Sequence, residues 1–266
     1  MSLNIPENKI RSLLASNRPS VATRIWSPWP TTVEAMAATG NFDYVEIVAE
    51  YSPFTQPGLE NLVRAAELHG IGSMIKVDLQ NRHYVAQRAV AMGFQAVLYC
   101  DHKTADEVRE TIYNLSPDCL GEGRFGYPNA RWIGYTPHIA QMDYAAMVRN
   151  TVKAFMIEKQ EAVDNLEEIC SVPGVDMVQF GPSDFSLSKG WNAREHQQEV
   201  REIEEYVIRT ALACNVAPRC ECDTMDKVEY YKKLGVRHFC IGDEFRILGA
   251  YWKGTCGEVR SLADTL

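Results

Sequence analysis

The chain has 266 residues, 46% hydrophobic and 23% charged, enough for one large buried core and typical of a globular protein. A formal net charge of −8 argues against nonspecific binding to nucleic acid or an anionic membrane, and no apolar run reaches the roughly 18 residues of a membrane span. The opening MSLNIPENKIRSLLASNRPS lacks an apolar stretch followed by a small-residue cleavage site, and Cys100, Cys170 and Cys240 sit in apolar surroundings, so a cytoplasmic protein with reduced thiols is expected.

Taken in chain order, SVATRI (20–25) reads as a strand and TTVEAMAAT (31–39) as a helix. YVEIVA (44–49) is a strand, and GLENLVRAAELHG (58–70) a helix stopped by Gly70. IGSMIKV (71–77) is a strand, NRHYVAQRAVAMG (81–93) a helix stopped by Gly93, and AVLYC (96–100) a strand. TADEVRETIYNL (104–115) is a helix in which Thr104 and Glu107 form a capping box. Residues 116–140 are irregular. The rhythm then resumes with helix MDYAAMVRNT, strand VKAFMIE, helix EAVDNLEEICSV and strand DMVQFG. A long helix over residues 194–215, strand VAPRC, helix DTMDKVEYYKKLG and strand VRHFCIG complete the series, and the tail from Phe245 is at least partly helical. Eight strands alternating with helices predict a closed (β/α)8 TIM barrel in a single domain, 1–266, with a C-terminal helical extension. A Rossmann-type sheet is the rival, but no G-x-G-x-x-G follows a strand.

In such a barrel the ends of the strands share one face. The residues that fall there are Arg24 and Trp26, Glu50 and Tyr51, Lys76 and Asp78, residues 99–102, Glu158, Asp184, Arg219 with Glu221, and Asp243 with Glu244. Glu158 and Asp184 each close an apolar strand, 26 positions apart, and neighbouring strands lie about 4.8 Å apart. Two carboxylates so close need a positive partner. A divalent cation such as Mg²⁺ or Mn²⁺ fits them, and so would a neutralising Arg124, Arg131 or Lys76. Other readings stay open for single residues: His102 as a substitute base, Trp26 and Trp132 as walls of an apolar pocket, and Arg124 as a substrate residue or a loop anchor. The Cys220–Cys222 pair lacks the partner spacing of a zinc site.

Residues 157–190, IEKQEAVDNLEEICSVPGVDMVQFGPSDFSLSKG, resemble the signature of the HpcH/HpaI aldolase family, which has relatives among malyl-CoA and citrate lyase β-type enzymes. The likeness extends more weakly to AATGNFDYVEIVAEYSP, IKV, AVAMGFQAVL and GRFGYPNARW. The resemblance implies a TIM barrel assembled as a trimer or hexamer with exchanged C-terminal helices, the tail from about 245 packing on a neighbouring subunit. It also implies that Glu158 and Asp184 are ligands of Mg²⁺ or Mn²⁺. The substrate would be a small 2-oxo acid, its carboxylate seated by backbone amides at Gly181, Pro182 and Ser183.

The resemblance further implies a carbon–carbon lyase working through a metal-bound pyruvate-type enolate. Where the family carries its acid/base histidine this chain has Tyr51, and where the family has an arginine near the pyruvyl oxygens it has Lys76. Arg124 aligns with a further family arginine. A phenol with an ordinary pKa near 10 makes a poor base unless a cation depresses it, and lysine cannot reproduce arginine's planar fork. The metal half of the machinery is thus expected intact and the proton-transfer half rebuilt around Tyr51, Lys76 and Arg124. The alternatives are a metal-dependent decarboxylase or tautomerase, a Schiff base on Lys76, or a noncatalytic 2-oxo acid binding protein.

Overall fold

The computed structural model describes residues 7–127, 131–135 and 139–266. Eight strands, β1 Ser20–Ile25, β2 Tyr44–Val48, β3 Gly72–Val77, β4 Ala96–Tyr99, β5 Val152–Ile157, β6 Met177–Phe180, β7 Ala217–Cys222 and β8 His238–Asp243, follow one another around a closed barrel. Every pairing is parallel, and β8 returns to β1 with a register shift between Ala22 and Arg24. Each expected strand is present, so the (β/α)8 architecture stands. The GRFGYPNARW likeness crosses residues 128–130, which lie outside the described residues.

Alternation along each strand sorts the side chains into two layers. Val45, Ile47, Ile75, Val97, Phe155 and Val178 face outward and pack under the helices. The inward residues of β3 to β6, among them Met74, Leu98, Ala154, Met156 and Met177, form an apolar cluster that Ile10 joins. The other half of the interior is polar. Arg219 is 1% exposed; its Nε donates to Tyr44 Oη at 2.7 Å, its Nη1 donates to Gln179 Oε1, and its Nη2 pairs with Glu46 Oε2 at 2.5 Å. A buried ion pair of this kind does little for net stability, but losing one partner strands the other charge.

Local chemistry sets the helix boundaries. Thr104 and Glu107 form the expected capping box at the start of helix Ala105–Leu115. Gly93 ends helix Arg82–Met92 in the left-handed region, φ +110°. The single helix expected over 161–172 is instead two, Gln160–Asp164 and Leu166–Cys170. Asn165 leaves helical geometry between them, and its side-chain amide donates to Lys103 O and Glu161 O. Helices Lys9–Ala15 and Pro182–Ser188 were not expected.

After β8 the chain runs as helix Glu244–Tyr251, a π-helical turn Trp252–Cys256 and helix Gly257–Ala263. Beyond Glu244 no residue of this tail is buried; Phe245, Ile247, Tyr251, Trp252, Val259 and Leu262 are all more than half exposed.

Candidate active site

The site is built at the carboxyl ends of β2 to β6. Lys76 points inward from β3, in register with Val48 of β2 and Leu98 of β4. Its Nζ lies 2.6 Å from Glu50 Oε2, and the Glu50 side chain is only 8% exposed. Burial opposes the charge on Lys76, but Cys100, Glu50 and Glu158 together hold its pKa above the ordinary range. An ammonium kept charged in this way is a poor nucleophile, which disfavours a Schiff base on Lys76.

Tyr51 follows Glu50 and turns to the rim, 65% exposed. Burial of its hydroxyl end, then the charge of Glu50 and a hydrogen bond to it, keep the phenol above its ordinary pKa. Lys76 acts in the opposite sense with less effect, its Nζ lying 6.0 Å from the Tyr51 ring centroid. A phenolate base activated by a neighbouring cation is therefore not what the geometry makes. The Tyr51 ring faces Trp26, with centroids 6.4 Å apart and planes 11° from parallel.

Glu158 directly follows β5 and is 2% exposed. Its Oε1 accepts the Asp101 N–H at 2.9 Å. Asp101 has φ +59°, and its carboxylate pairs with Lys159 at 2.9 Å. Burial pushes the Glu158 carboxyl up to about 7, although Lys76 and the Asp101 amide work against this, and Asp184 adds to the rise. Gly181 supplies the room: a Cβ there would stand 2.9 Å from Glu158 Oε2 and 3.0 Å from Met156 Cε. Asp184 lies in the first turn of helix Pro182–Ser188, half-buried.

These residues fit a divalent cation. A nearly buried carboxylate is held against its own ionisation, Lys76 already serves Glu50, and a second carboxylate lies on the next strand's loop. Among the described residues no group of three or more His, Cys, Asp or Glu could hold a metal. Two carboxylates would thus leave most coordination positions to water and substrate.

Several sequence-based expectations change. Arg124 is not brought to the site: its guanidinium lies 5.2 Å from the Tyr113 ring centroid, near the C-terminus of helix Ala105–Leu115 and hence at the far end of the barrel. Arg131 pairs with Glu67 instead of the site carboxylates. Trp132 packs edge-on to Tyr144, within the outer core. His102 is 1% exposed; its Nε2 meets Thr111 Oγ1 at 2.7 Å, its ring lies edge-on to Tyr99 and Phe155, and burial depresses it to about 3. It cannot be a solvent-facing base.

The amide seat narrows as well, because the Gly181 N–H already donates to Ile157 O and Pro182 has none. Ser183 and Asp184 retain the first N–H groups of the helix, with no carbonyl a turn behind them. Glu244, one of the acids placed at the strand ends, is buried and accepts the N–H groups of Trp26 at 2.6 Å and Ser27 at 2.7 Å. Arg24 is likewise committed, to Glu221 at 2.6 Å and Asp243 at 3.6 Å. The partnership of Glu50 with Lys76 and Tyr51 was missed, although adjacent parallel strands ending at Val48 and Val77 could have signalled it.

The HpcH/HpaI aldolase/citrate lyase model matches residues 32–235. The chain belongs to that family. It is an enzyme of the aldolase-like lyase class, and the chemistry of the family is divalent-metal-dependent and directed at 2-oxo acids. A 2-keto-3-deoxy-L-rhamnonate aldolase of Escherichia coli is 28% identical over 210 residues, 78% of this chain and 76% of that one. The crystal structure of an HpcH/HpaI aldolase from Desulfitobacterium hafniense superposes with a TM-score of 0.84 at 22% identity, covering 95% of this chain and 96% of that one. A citrate synthase, SbnG, superposes at 0.85 with 20% identity, covering 97% and 100%. At such identities the structural likeness speaks for the barrel alone. No helix among the described residues is long and apolar enough to cross a membrane.

Proposed function

We propose that this family member cleaves a 4-hydroxy-2-oxo acid to a pyruvate-type product and an aldehyde, with Mg²⁺ or Mn²⁺ held by Glu158 and Asp184. The observation that carries this reading is the buried Glu158 carboxylate, cradled by Gly181 and lacking a free cation of its own. When bound, the metal would act as a Lewis acid towards the keto oxygen of the substrate. The protein's own groups divide the remaining work. Lys76, fixed by Glu50, places a permanent positive charge on the inner wall, where negative charge develops as the C3–C4 bond breaks.

In this reaction Tyr51 would pass its hydroxyl hydrogen to the neighbouring Glu50 while its phenolic oxygen accepts the proton of the substrate's 4-hydroxyl. One proton passes from substrate to Tyr51 while another passes from Tyr51 to Glu50. The C3–C4 bonding pair stays on C3, the C4–O bond becomes a carbonyl, and the proton lodged on Glu50 returns through Tyr51 to C3, which completes the 2-oxo acid and restores the Lys76–Glu50 pair. Tyr51 thereby serves as a relay that stays protonated, replacing the titrating imidazole of the usual family pattern. The amides of Ser183 and Asp184 are the remaining seat for the substrate carboxylate.

The tail is proposed to pack on another copy of the chain in a trimer or hexamer, since its apolar residues have no covering within the protomer. Eight unpaired cysteines suit a reducing, cytoplasmic setting.

The test is exchange of the C3 protons of pyruvate in D₂O, followed by proton NMR with no aldehyde present. Exchange should require added Mg²⁺ or Mn²⁺ and vanish in Asp184→Asn. Exchange that survives exhaustive chelation would overturn the metal assignment, and borohydride trapping of pyruvate on Lys76 in that state would establish the Schiff-base route instead.

A further inference from the structure

The half of the substrate that leaves as aldehyde must lie beyond the carboxylate pair, toward the rim. Two features of the rim bear on its chemistry. The first is charge. Among the described residues, Lys76 is paired with Glu50, Lys159 with Asp101, and Arg24 with Glu221 and Asp243. A cleft of about 340 Å³ beside Pro182 and Ser183 is lined by Arg24, Lys227, Arg246 and Arg201; the first three have carboxylate partners, and the Arg201 guanidinium lies 5.6 Å from the Tyr230 ring centroid. An anionic aldehyde half placed beside Lys76 or Arg24, next to the Tyr51 and Trp26 rings, would have to displace one of these pairs.

The second feature is aromatic. Trp26, just past β1, and Tyr51, just past β2, present near-parallel rings at the mouth, next to the Lys76–Glu50 pair. Tyr51 is mostly exposed and Trp26 half-buried, so neither ring is used up in the core. Trp26 is also fixed from below, because Glu244 holds its backbone N–H. A rigid pair of aromatic faces costs little entropy to use and favours stacking with a planar partner.

Resting on the cleavage reaction proposed above, we infer that the aldehyde half of the substrate is uncharged and planar, an aryl or conjugated aldehyde, and that Trp26 with Tyr51 is its binding platform. Trp26 is the specificity-determining residue, since Tyr51 also carries the proton.

The test compares pyruvate release from three substrates by metal-loaded protein: 4-hydroxy-2-oxo-4-phenylbutanoate, 4-hydroxy-2-oxopentanoate and 4-hydroxy-2-oxoheptanedioate. The aryl substrate should exceed both others in kcat/KM by at least about tenfold, through a lower KM. Trp26→Leu should shrink that preference to under about threefold, whereas Tyr51→Phe should slow every substrate and leave the preference in place. Equal rates, a preference for the dicarboxylate, or an aryl preference that survives Trp26→Leu would overturn the platform. Pyruvate C3 exchange, run in parallel, separates this failure from the other: exchange with no aryl preference sinks the platform alone, and absence of exchange sinks the cleavage reading and the platform with it.

Discussion

Glu158→Gln should stabilise the metal-free protein above neutral pH. The wild-type carboxyl titrates near 7 in the fold against an ordinary 4.5, and at 2% exposure little solvent screens it. Below pH 4.5 it is protonated in both the folded and unfolded chain. Between 4.5 and 7 the unfolded chain releases its proton while the folded chain keeps it, so this group's contribution to stability falls as pH rises and is fully lost above about 7. At pH 8 the loss comes to roughly 3 kcal/mol.

Glutamine occupies the same volume beside Gly181 and can still accept the Asp101 N–H, so the variant escapes the loss without a packing change. For a chain of this size roughly 3 kcal/mol corresponds to about 6 °C in Tm. Thermal unfolding of EDTA-treated wild type and variant at pH 5 and pH 8, at one protomer concentration, reads the difference. The gap should open between the two pH values. Saturating Mg²⁺ or Mn²⁺ should close it by raising the wild-type Tm alone. A gap independent of pH, or a chelated variant less stable than wild type at pH 8, would refute the reasoning about Glu158.

Gly181→Ala should push the new methyl into Glu158 and weaken Mn²⁺ affinity by at least about tenfold, read by electron paramagnetic resonance titration, with a core-like stability loss of about 1–3 kcal/mol. Tyr51→Phe should lower kcat by about a hundredfold at unchanged Mn²⁺ affinity, and the wild-type pH–rate profile should show no inflection from Tyr51 up to pH 10 because its phenol is held above that value. Tyr51→His should introduce an inflection near the ordinary imidazole value of about 6.5. Arg219→Met should cost about 3–5 kcal/mol in Tm-derived stability by stranding the Glu46 charge inside the barrel. Truncation after Glu244 should lower the mass seen in sedimentation equilibrium; an unchanged mass would remove the tail from the assembly.

The strands and their order were legible because apolar runs of four to six residues alternate with helix-length segments bounded by caps such as Thr104 and stops such as Gly93. Glu158 and Asp184 were legible for the same reason, as acids just past apolar strands. What failed was facing. By strand alternation His102 should share the inward face with Cys100, but Asp101 at φ +59° reverses the chain and sends the imidazole out among the helices. Arg124 was placed by its loop pattern, and no periodicity says at which end of a helix a loop arginine finds its aromatic face. Glu46 and Arg219 were harder still. Each interrupts a strand otherwise read as apolar or rim-directed, and only barrel closure, bringing β2 and β7 across from each other, supplies the partner.

Glu244 belongs to two structures at once. It is the first residue of the exposed C-terminal helix, and its carboxylate holds the backbone of the loop that carries Trp26. Its second oxygen is buried without a partner, so nothing else among the described residues anchors that carboxylate in place. A tug on the tail is therefore felt at the aromatic mouth through a single side chain, and how the helix is seated outside the barrel sets how firmly one wall of the mouth stands inside it.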